Sequence, residues 1–243
     1  MASNGIKDQV AIVGMGCTPF GEHWDRDAAD MLIDAASDAY ASAGVDPADV
    51  DAYWLGTFAS GISGMVFSEA LKTPYKPVTR LENMCATGSE AIRNAAYAVA
   101  SGAYDLVMAV GVEKLKDGGY SGLVVPGPDG DGTESSMTAP AMFSLLAPAY
   151  CEKYGVGEGE LKDVLSRIAW KNHVAGAKNP KAQFRKEVSL EKICKSPRVA
   201  GMFGVFDCSG VSDGSAAAIL CRAEDAYKYT DKPIFLRALS IAA

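Results

Sequence analysis

Leu81-Glu82-Asn83-Met84-Cys85-Ala86-Thr87-Gly88-Ser89-Glu90 decides how the rest of the chain is read. Before it, Pro77-Val78-Thr79-Arg80-Leu81 has the pattern of a short strand opened by a proline. After it, Ser89 to Val99 is alanine-rich and carries Ile92, Tyr97 and Val99, which predicts a helix. Cys85 therefore falls where a strand turns into a helix. The first amides of a helix have no internal partners and carry partial positive charge. A thiolate placed there is stabilised, and small Ala86, Gly88 and Ser89 leave room for a bulky group to approach the sulfur. That is the layout of an activated nucleophile. A single cysteine in an apolar chain also reads as a small buried hydrophobe, and spacing alone leaves both readings open.

Working outward, Gln9 to Gly16 is a short apolar run ended by glycines, read as a buried first strand. Asp27 to Ala43 predicts a helix whose apolar side is Met31, Ile33, Ala35, Ala36 and Ala39, stopped by Gly44. Asp46 caps a short turn with Pro47 at its first position. Asp51 to Thr57 reads as a strand and Met65 to Leu71 as a short helix. Asp105 to Glu113 is a buried strand and Ser215 to Arg222 another. Pro233 to Leu239 reads as the last strand. Strands alternating with helices predict an α/β fold with a mainly parallel sheet.

Residues 116–138 are rich in glycine, with Pro126, Pro128, Asp129 and Asp131 among them, and read as a long irregular segment. Pro140 to Tyr154 predicts a helix kinked or broken at Pro148. Glu160 to Ala177 predicts a further helix with His173 near its end, a position that a structural histidine explains. His23 reads as a solvated or capping loop residue. Lys178, Lys181, Arg185, Lys186, Lys192, Lys195 and Arg198 make the following stretch the most basic part of an acidic chain. Asp207 to Gly214 is a tight, glycine-bearing polar loop.

The chain has 243 residues and a net charge of -7, which argues against a nucleic-acid footprint. No apolar run reaches the roughly 18 residues of a membrane span. The first residues lack a signal-peptide layout and the last ones are no peroxisomal address. Together these predict a cytoplasmic protein. The six cysteines form no C-x-x-C pair and read as reduced. With only His23 and His173, no metal-ligand cluster is expected.

Asn83-Met84-Cys85-Ala86-Thr87-Gly88-Ser89 resembles the nucleophile segment of the thiolase superfamily, in its sterol-carrier-protein-x-type branch. Three further stretches match that branch in order: Gly111-Val112-Glu113-Lys114, then Trp170-Lys171-Asn172-His173 with Asn179-Pro180, then Ser212-Asp213-Gly214-Ser215-Ala216-Ala217-Ala218. The resemblance covers nearly the whole chain from about Val10. It implies a layered α-β-α thiolase-like fold with a mainly parallel five-stranded sheet, the N-terminal half plus its loop region. Residues 1–115 and 200–243 would form the α/β domain and 116–199 a loop and helical insertion over the active site. The C-terminal thiolase half would be absent from this chain.

The same resemblance implies an acyl-CoA C-acyltransferase with Cys85 as the catalytic residue. Ser209 and Gly210 would lie beside the pantetheine arm of coenzyme A, Asp213 would be structural, and no metal would be bound. Coenzyme A thioesters are expected as substrates, without a tightly bound cofactor, and the basic stretch is a candidate for the nucleotide end. A homo-oligomer, dimer or dimer of dimers, is implied. So is a possible small OB-fold and zinc-ribbon partner. The family's second half carries a G-H-P histidine, an asparagine or histidine oxyanion motif and a C-x-G cysteine. No G-H-P occurs here. Cys208, although followed by Ser209 and Gly210, lies in the stretch that matches the first half, whereas the family's second catalytic cysteine is elsewhere. The chain is therefore a fragment, half of a split enzyme, or a catalytically reduced subunit. The alternative functions are a non-catalytic scaffold and a thiolase-like aldolase. That aldolase group does not depend on the cysteine, so the intact segment counts against it.

Overall fold

The computed structural model describes residues 5–118, 124–125 and 137–241. The chain divides into two compact units, residues 1–118 with 213–243, and residues 119–212. The sequence reading set those divisions at 115/116 and 199/200.

The first unit contains β1 (Val10–Cys17), α1 (Ala28–Ala43), β2 (Ala52–Gly56), α2 (Met65–Leu71), β3 (Val78–Leu81), α3 (Thr87–Ala100) and β4 (Leu106–Glu113). In the second unit come β5 (Val124–Val125), β6 (Met137–Thr138), α4 (Ala139–Ser144), α5 (Leu146–Tyr154), α6 (Glu158–Lys178), α7 (Leu190–Cys194), β7 (Arg198–Ala200) and β8 (Phe203–Gly204). The chain then returns to the first unit with β9 (Gly214–Arg222) and β10 (Ile234–Phe235).

The first unit is α/β as predicted, but its sheet has six strands where five were expected, in the order β10-β1-β9-β4-β2-β3. The sixth is β10, a two-residue edge strand paired with Ala11 and Ile12. It is far shorter than the run from Pro233 to Leu239 suggested. Four strands share one direction. β9 runs against them between β1 and β4, so β2 with β3 and β2 with β4 are the parallel pairs.

Strand alternation sorts the core into two layers. Met108, Val110, Val112, Ala217, Ile219 and Cys221 face the layer that contains α1 and Phe67 of α2. Val107, Ala109, Ala218 and Leu220 face Ala91, Ala95, Ala96 and Val99 of α3. Each fully buried Leu, Ile or Met here contributes on the order of 1.5–3 kcal/mol.

α1 begins with a capping box. Asp27 accepts from the Asp30 amide at 2.9 Å, and the Asp30 carboxylate accepts from the Asp27 amide at 3.2 Å. It ends on Gly44 at φ +65°. Its buried stripe is Met31, Leu32, Ala35, Ala36, Ala39, Tyr40 and Ala43. Ile33, which the sequence reading placed in that stripe, is exposed. Helical steps of three and four from Leu32 reach Ala35, Ala36 and Ala39, whereas Ile33 falls outside them.

In the second unit the helix expected from Pro140 to Tyr154 is two helices, and the break comes at Leu145 rather than at Pro148. Pro148 sits in the first turn of α5, where its missing N–H has no intrahelical partner to lose. α6 runs 21 residues, and His173 lies inside it rather than at its end. Most of the glycine-rich segment, including Gly127 to Gly132, lies outside the described residues. Among the described residues no helix is long and apolar enough to cross a membrane.

Candidate active site

β2, β3 and β4 end together: Gly56 pairs with Leu81 on one side and Gly111 on the other. Ligands of open α/β sheets gather at the carboxyl ends of parallel strands. Four residues past the end of β3, Cys85 stands exposed in a tight 3-10 turn, Met84–Ala86, directly before α3. Met84 has φ +50°, a left-handed conformation rare for a non-glycine residue. Strain of this kind concentrates at functional sites. The Met84 amide donates to the Glu82 carboxylate, and the Ala86 amide donates to the Asn83 carbonyl at 3.0 Å.

The loop after β2 is fixed from two sides. Glu113, the last residue of β4, accepts from the amides of Phe58 and Ala59 and from the hydroxyls of Thr57 and Ser60. Arg80 of β3 donates to the carbonyls of Thr57 at 2.7 Å and Phe58 at 3.3 Å. The Lys114 amide donates to the Ser60 hydroxyl at 2.7 Å.

Asp213, one residue before β9, is fully buried at the same edge. It accepts from the Lys114 ammonium at 2.8 Å and from the amides of Leu115, Lys116 and His23 at 2.7, 3.0 and 3.1 Å. Burial alone would raise its carboxyl pKa, but the Lys114 ammonium and the three amides outweigh that and hold it at about 2. Asp213 thus ties three loops together, and the His23 backbone contributes to it. The His23 ring meets the Pro19 carbonyl at 2.8 Å.

The second unit has a cavity of about 440 Å³. Ser209 and Gly210 line it together with His173, Gln183, Phe184 and Phe206. The Gln183 amide donates to the Val211 carbonyl at 3.2 Å, and its oxygen accepts from the Ser212 hydroxyl. Phe206 meets the His173 ring edge-on at 5.4 Å, and buried Nδ1 of that ring has no partner. Beside Ser209, burial first and then the Asp207 carboxylate push the Cys208 thiol pKa up. Asp207 itself pairs with Lys162.

The structure therefore gathers Ser209 and Gly210 on one cavity in the second unit, while Cys85 belongs to the first. Sequence reading quoted Glu113 and Lys114 only as part of a motif and missed their clamping roles. The signal was an acid and a base directly ending a buried strand. It missed Gln183, Phe184 and Phe206 outright, since nothing local distinguishes them.

The acetyl-CoA acetyltransferase of Methanothermobacter thermautotrophicus is 36% identical over 248 residues, 96% of this chain and 62% of its own length. Human sterol carrier protein 2 is 30% identical over 237 residues, 91% of this chain and 43% of its own. The chain thus spans less than two thirds of these relatives. Among solved structures, the Ltp2-ChsH2(DUF35) aldolase superposes with a TM-score of 0.78 at 24% identity, covering 96% of this chain and 60% of that one. Human mitochondrial 3-ketoacyl-CoA thiolase in complex with CoA gives 0.65 at 20% identity, covering 94% and 67%. The model of the thiolase N-terminal domain matches residues 10–224, which spans the Cys85 turn, both units and the Asp213 hub, and the chain belongs to that family.

Proposed function

We propose that this chain is the nucleophile-bearing half of a thiolase-type acyl-CoA C-acyltransferase. The observation that carries the reading is the exposed Cys85 on a strained turn, at the carboxyl edge of three parallel strands and at the start of α3. Cys85 Sγ attacks the thioester carbonyl. The new S–C bond forms as the bond to the coenzyme A sulfur breaks, and the thiol proton ends on that departing sulfur. In condensation the acyl group then passes to the α-carbon of a second acyl-CoA, whose α-proton ends on the released cysteine sulfur. In cleavage Sγ instead attacks the 3-keto carbonyl of a 3-oxoacyl-CoA, and the bond between C2 and C3 breaks. The shortened acyl-CoA leaves with the thiol proton on C2, and free coenzyme A takes the acyl group from the sulfur. Carrying it on sulfur replaces one hard step with two easier ones.

Ser209 and Gly210 hold the pantetheine arm in this reading. The basic stretch from Lys178 to Arg198 attracts the phosphorylated nucleotide end. A general base and the remaining oxyanion donors come from a second thiolase half outside this sequence. The working assembly is a homo-oligomer in the cytoplasm.

The second reading is a thiolase-fold aldolase or scaffold paired with a small OB-fold and zinc-ribbon subunit. The aldolase is among the solved structures that share this fold, over 96% of this chain. The intact Asn83-Met84-Cys85 segment favours the first. Intact-mass spectrometry after incubation with acetyl-CoA, with peptide mapping, separates them. The acyltransferase reading expects an acetyl group on Cys85, in the chain alone or with a co-purifying polypeptide. Folded protein that stays unmodified in both cases overturns it.

A further inference from the structure

The hydroxyl of Thr87 is used in both directions around Cys85. It accepts from the Asn83 amide at 2.8 Å and donates to the Met84 carbonyl at 2.6 Å. The Thr87 amide donates to the same carbonyl. The two residues held by this hydroxyl immediately precede the cysteine, and one of them is Met84 with its φ of +50°. A left-handed methionine persists only where its surroundings fix it.

On its other side, Thr87 rests on the end of β2. A Cβ built on Gly56 would lie 2.8 Å from the Thr87 methyl, against 3.4 Å from the Thr87 carbonyl oxygen. The methyl is therefore the one tight contact, and the glycine at the end of β2 is what lets Thr87 sit there.

We propose that Thr87 is the positioning residue of the Cys85 turn: its hydroxyl holds the left-handed Met84 conformation, and its seat on Gly56 ties the sulfur's position to the sheet. The proposal rests on the reading of Cys85 as the nucleophile for its functional meaning. Its geometry is tested independently of that reading. Thr87 touches no substrate in this scheme. It acts through the backbone that carries the sulfur.

The test is the rate at which iodoacetamide alkylates Cys85, read by peptide mapping, with exposed Cys194 in the same molecules as the reference. Thr87→Val keeps the side-chain shape and deletes the hydroxyl, leaving the Asn83 amide and the Met84 carbonyl without that partner. The Cys85 rate relative to Cys194 falls about tenfold. Thr87→Ser keeps the hydroxyl and stays within about twofold.

Gly56→Ala pushes on the Thr87 methyl and lowers the ratio as well. Gly56→Ala combined with Thr87→Ser removes the clashing methyl and restores it. That rescue is a result that general destabilisation does not produce.

A Thr87→Val protein that reacts like the wild type, or a Thr87→Ser protein as slow as Thr87→Val, overturns the proposal. So does a double variant no faster than Gly56→Ala alone. Acetylation of wild-type Cys85 by acetyl-CoA is measured alongside. Its failure would remove the nucleophile reading, while the alkylation ratios still judge Thr87.

Discussion

The Lys114 ammonium and the Asp213 carboxylate meet at 2.8 Å, although 99 residues separate them in the chain. The whole second unit is inserted between them in sequence, so this pair fastens the strand that leaves the first unit to the strand that returns. Lys114 also pairs with Asp117, and the other Asp213 oxygen serves the amides of Leu115 and Lys116.

The pH dependence of stability follows from this hub. The Asp213 pKa is lowered from an ordinary 3.8 to about 2. A depressed carboxyl contributes stability that is present above its unfolded value and lost as pH falls through the folded one. The shift is worth roughly 2 kcal/mol, lost progressively between about pH 4 and pH 2. Urea unfolding across that window should show the loss. Asp213→Asn should cost about 3 kcal/mol at neutral pH, since it leaves Lys114 with a weaker buried partner, and should flatten the slope. An equally steep slope in the variant would assign it to other carboxyls.

β1 and α1 touch so closely that the strand has no room for side chains at two positions. A Cβ on Gly16 would lie 2.3 Å from the Ala35 carbonyl and 2.4 Å from the Asp38 Cβ. Gly16→Ala should therefore destabilise the first unit by about 1–3 kcal/mol through overpacking. The thermal midpoint measures it. Gly21→Ala, where nothing lies within 4 Å, is the control and should move the midpoint far less.

Much of this architecture is local, and local features were legible. The Asp46 cap, the Gly44 stop and the apolar runs of β1, β4 and β9 follow from neighbours a few residues away. In α1 two apolar residues stand side by side, and helical spacing buries Leu32 while leaving Ile33 exposed. The antiparallel position of β9 between β1 and β4 depends on pairing across some hundred residues, which no local pattern encodes. The count of five strands came with the resemblance; the sixth, β10, lies within the run from Pro233 to Leu239 that itself reads as a strand. The Cys85 turn was placed correctly between strand and helix. Its left-handed Met84 and the two-way Thr87 hydroxyl were invisible, since neither residue type announces such a conformation. Ser209 was reached by resemblance, whereas the cavity wall of Gln183, Phe184 and Phe206 comes from tertiary packing.

Glu113 gathers four donors of the loop after β2. Glu113→Ala should release that loop at a cost of about 2 kcal/mol or more, because several of its donors lose their partner together. Hydrogen exchange at Phe58, Ala59 and Ser60 should accelerate more than tenfold while β4 stays protected. Unchanged exchange at those amides would show that Arg80, donating to the carbonyls of Thr57 and Phe58, is sufficient to hold the loop.

The cysteines should separate by reactivity. Burial, then the nearby Asp225 carboxylate, push the Cys221 thiol pKa up to about 12, whereas Cys85 and Cys194 are exposed. Pulse labelling with iodoacetamide near pH 8 should modify Cys85 and Cys194 and leave Cys221 untouched until urea unfolds the first unit. Native labelling of Cys221 at a comparable rate would mean that β9 opens on the timescale of the pulse.

Gly210 should control access to the second unit's cavity. A Cβ there would lie 2.9 Å from the Phe184 ring tip and 3.2 Å from the Gln183 side-chain oxygen, both parts of the cavity wall. Gly210→Ala therefore pushes on that wall through side chains rather than through backbone, and its cost in stability should stay below about 1 kcal/mol. If Ser209 and Gly210 hold the pantetheine arm, as proposed, calorimetric affinity for coenzyme A should fall about fivefold to tenfold, equivalent to roughly 1 kcal/mol. The rate of Cys85 alkylation by iodoacetamide should stay the same, because Cys85 belongs to the other unit. Unchanged affinity in a variant that folds would remove the cavity from the coenzyme A site. A parallel loss of Cys85 reactivity would show instead that the substitution acts on the chain as a whole.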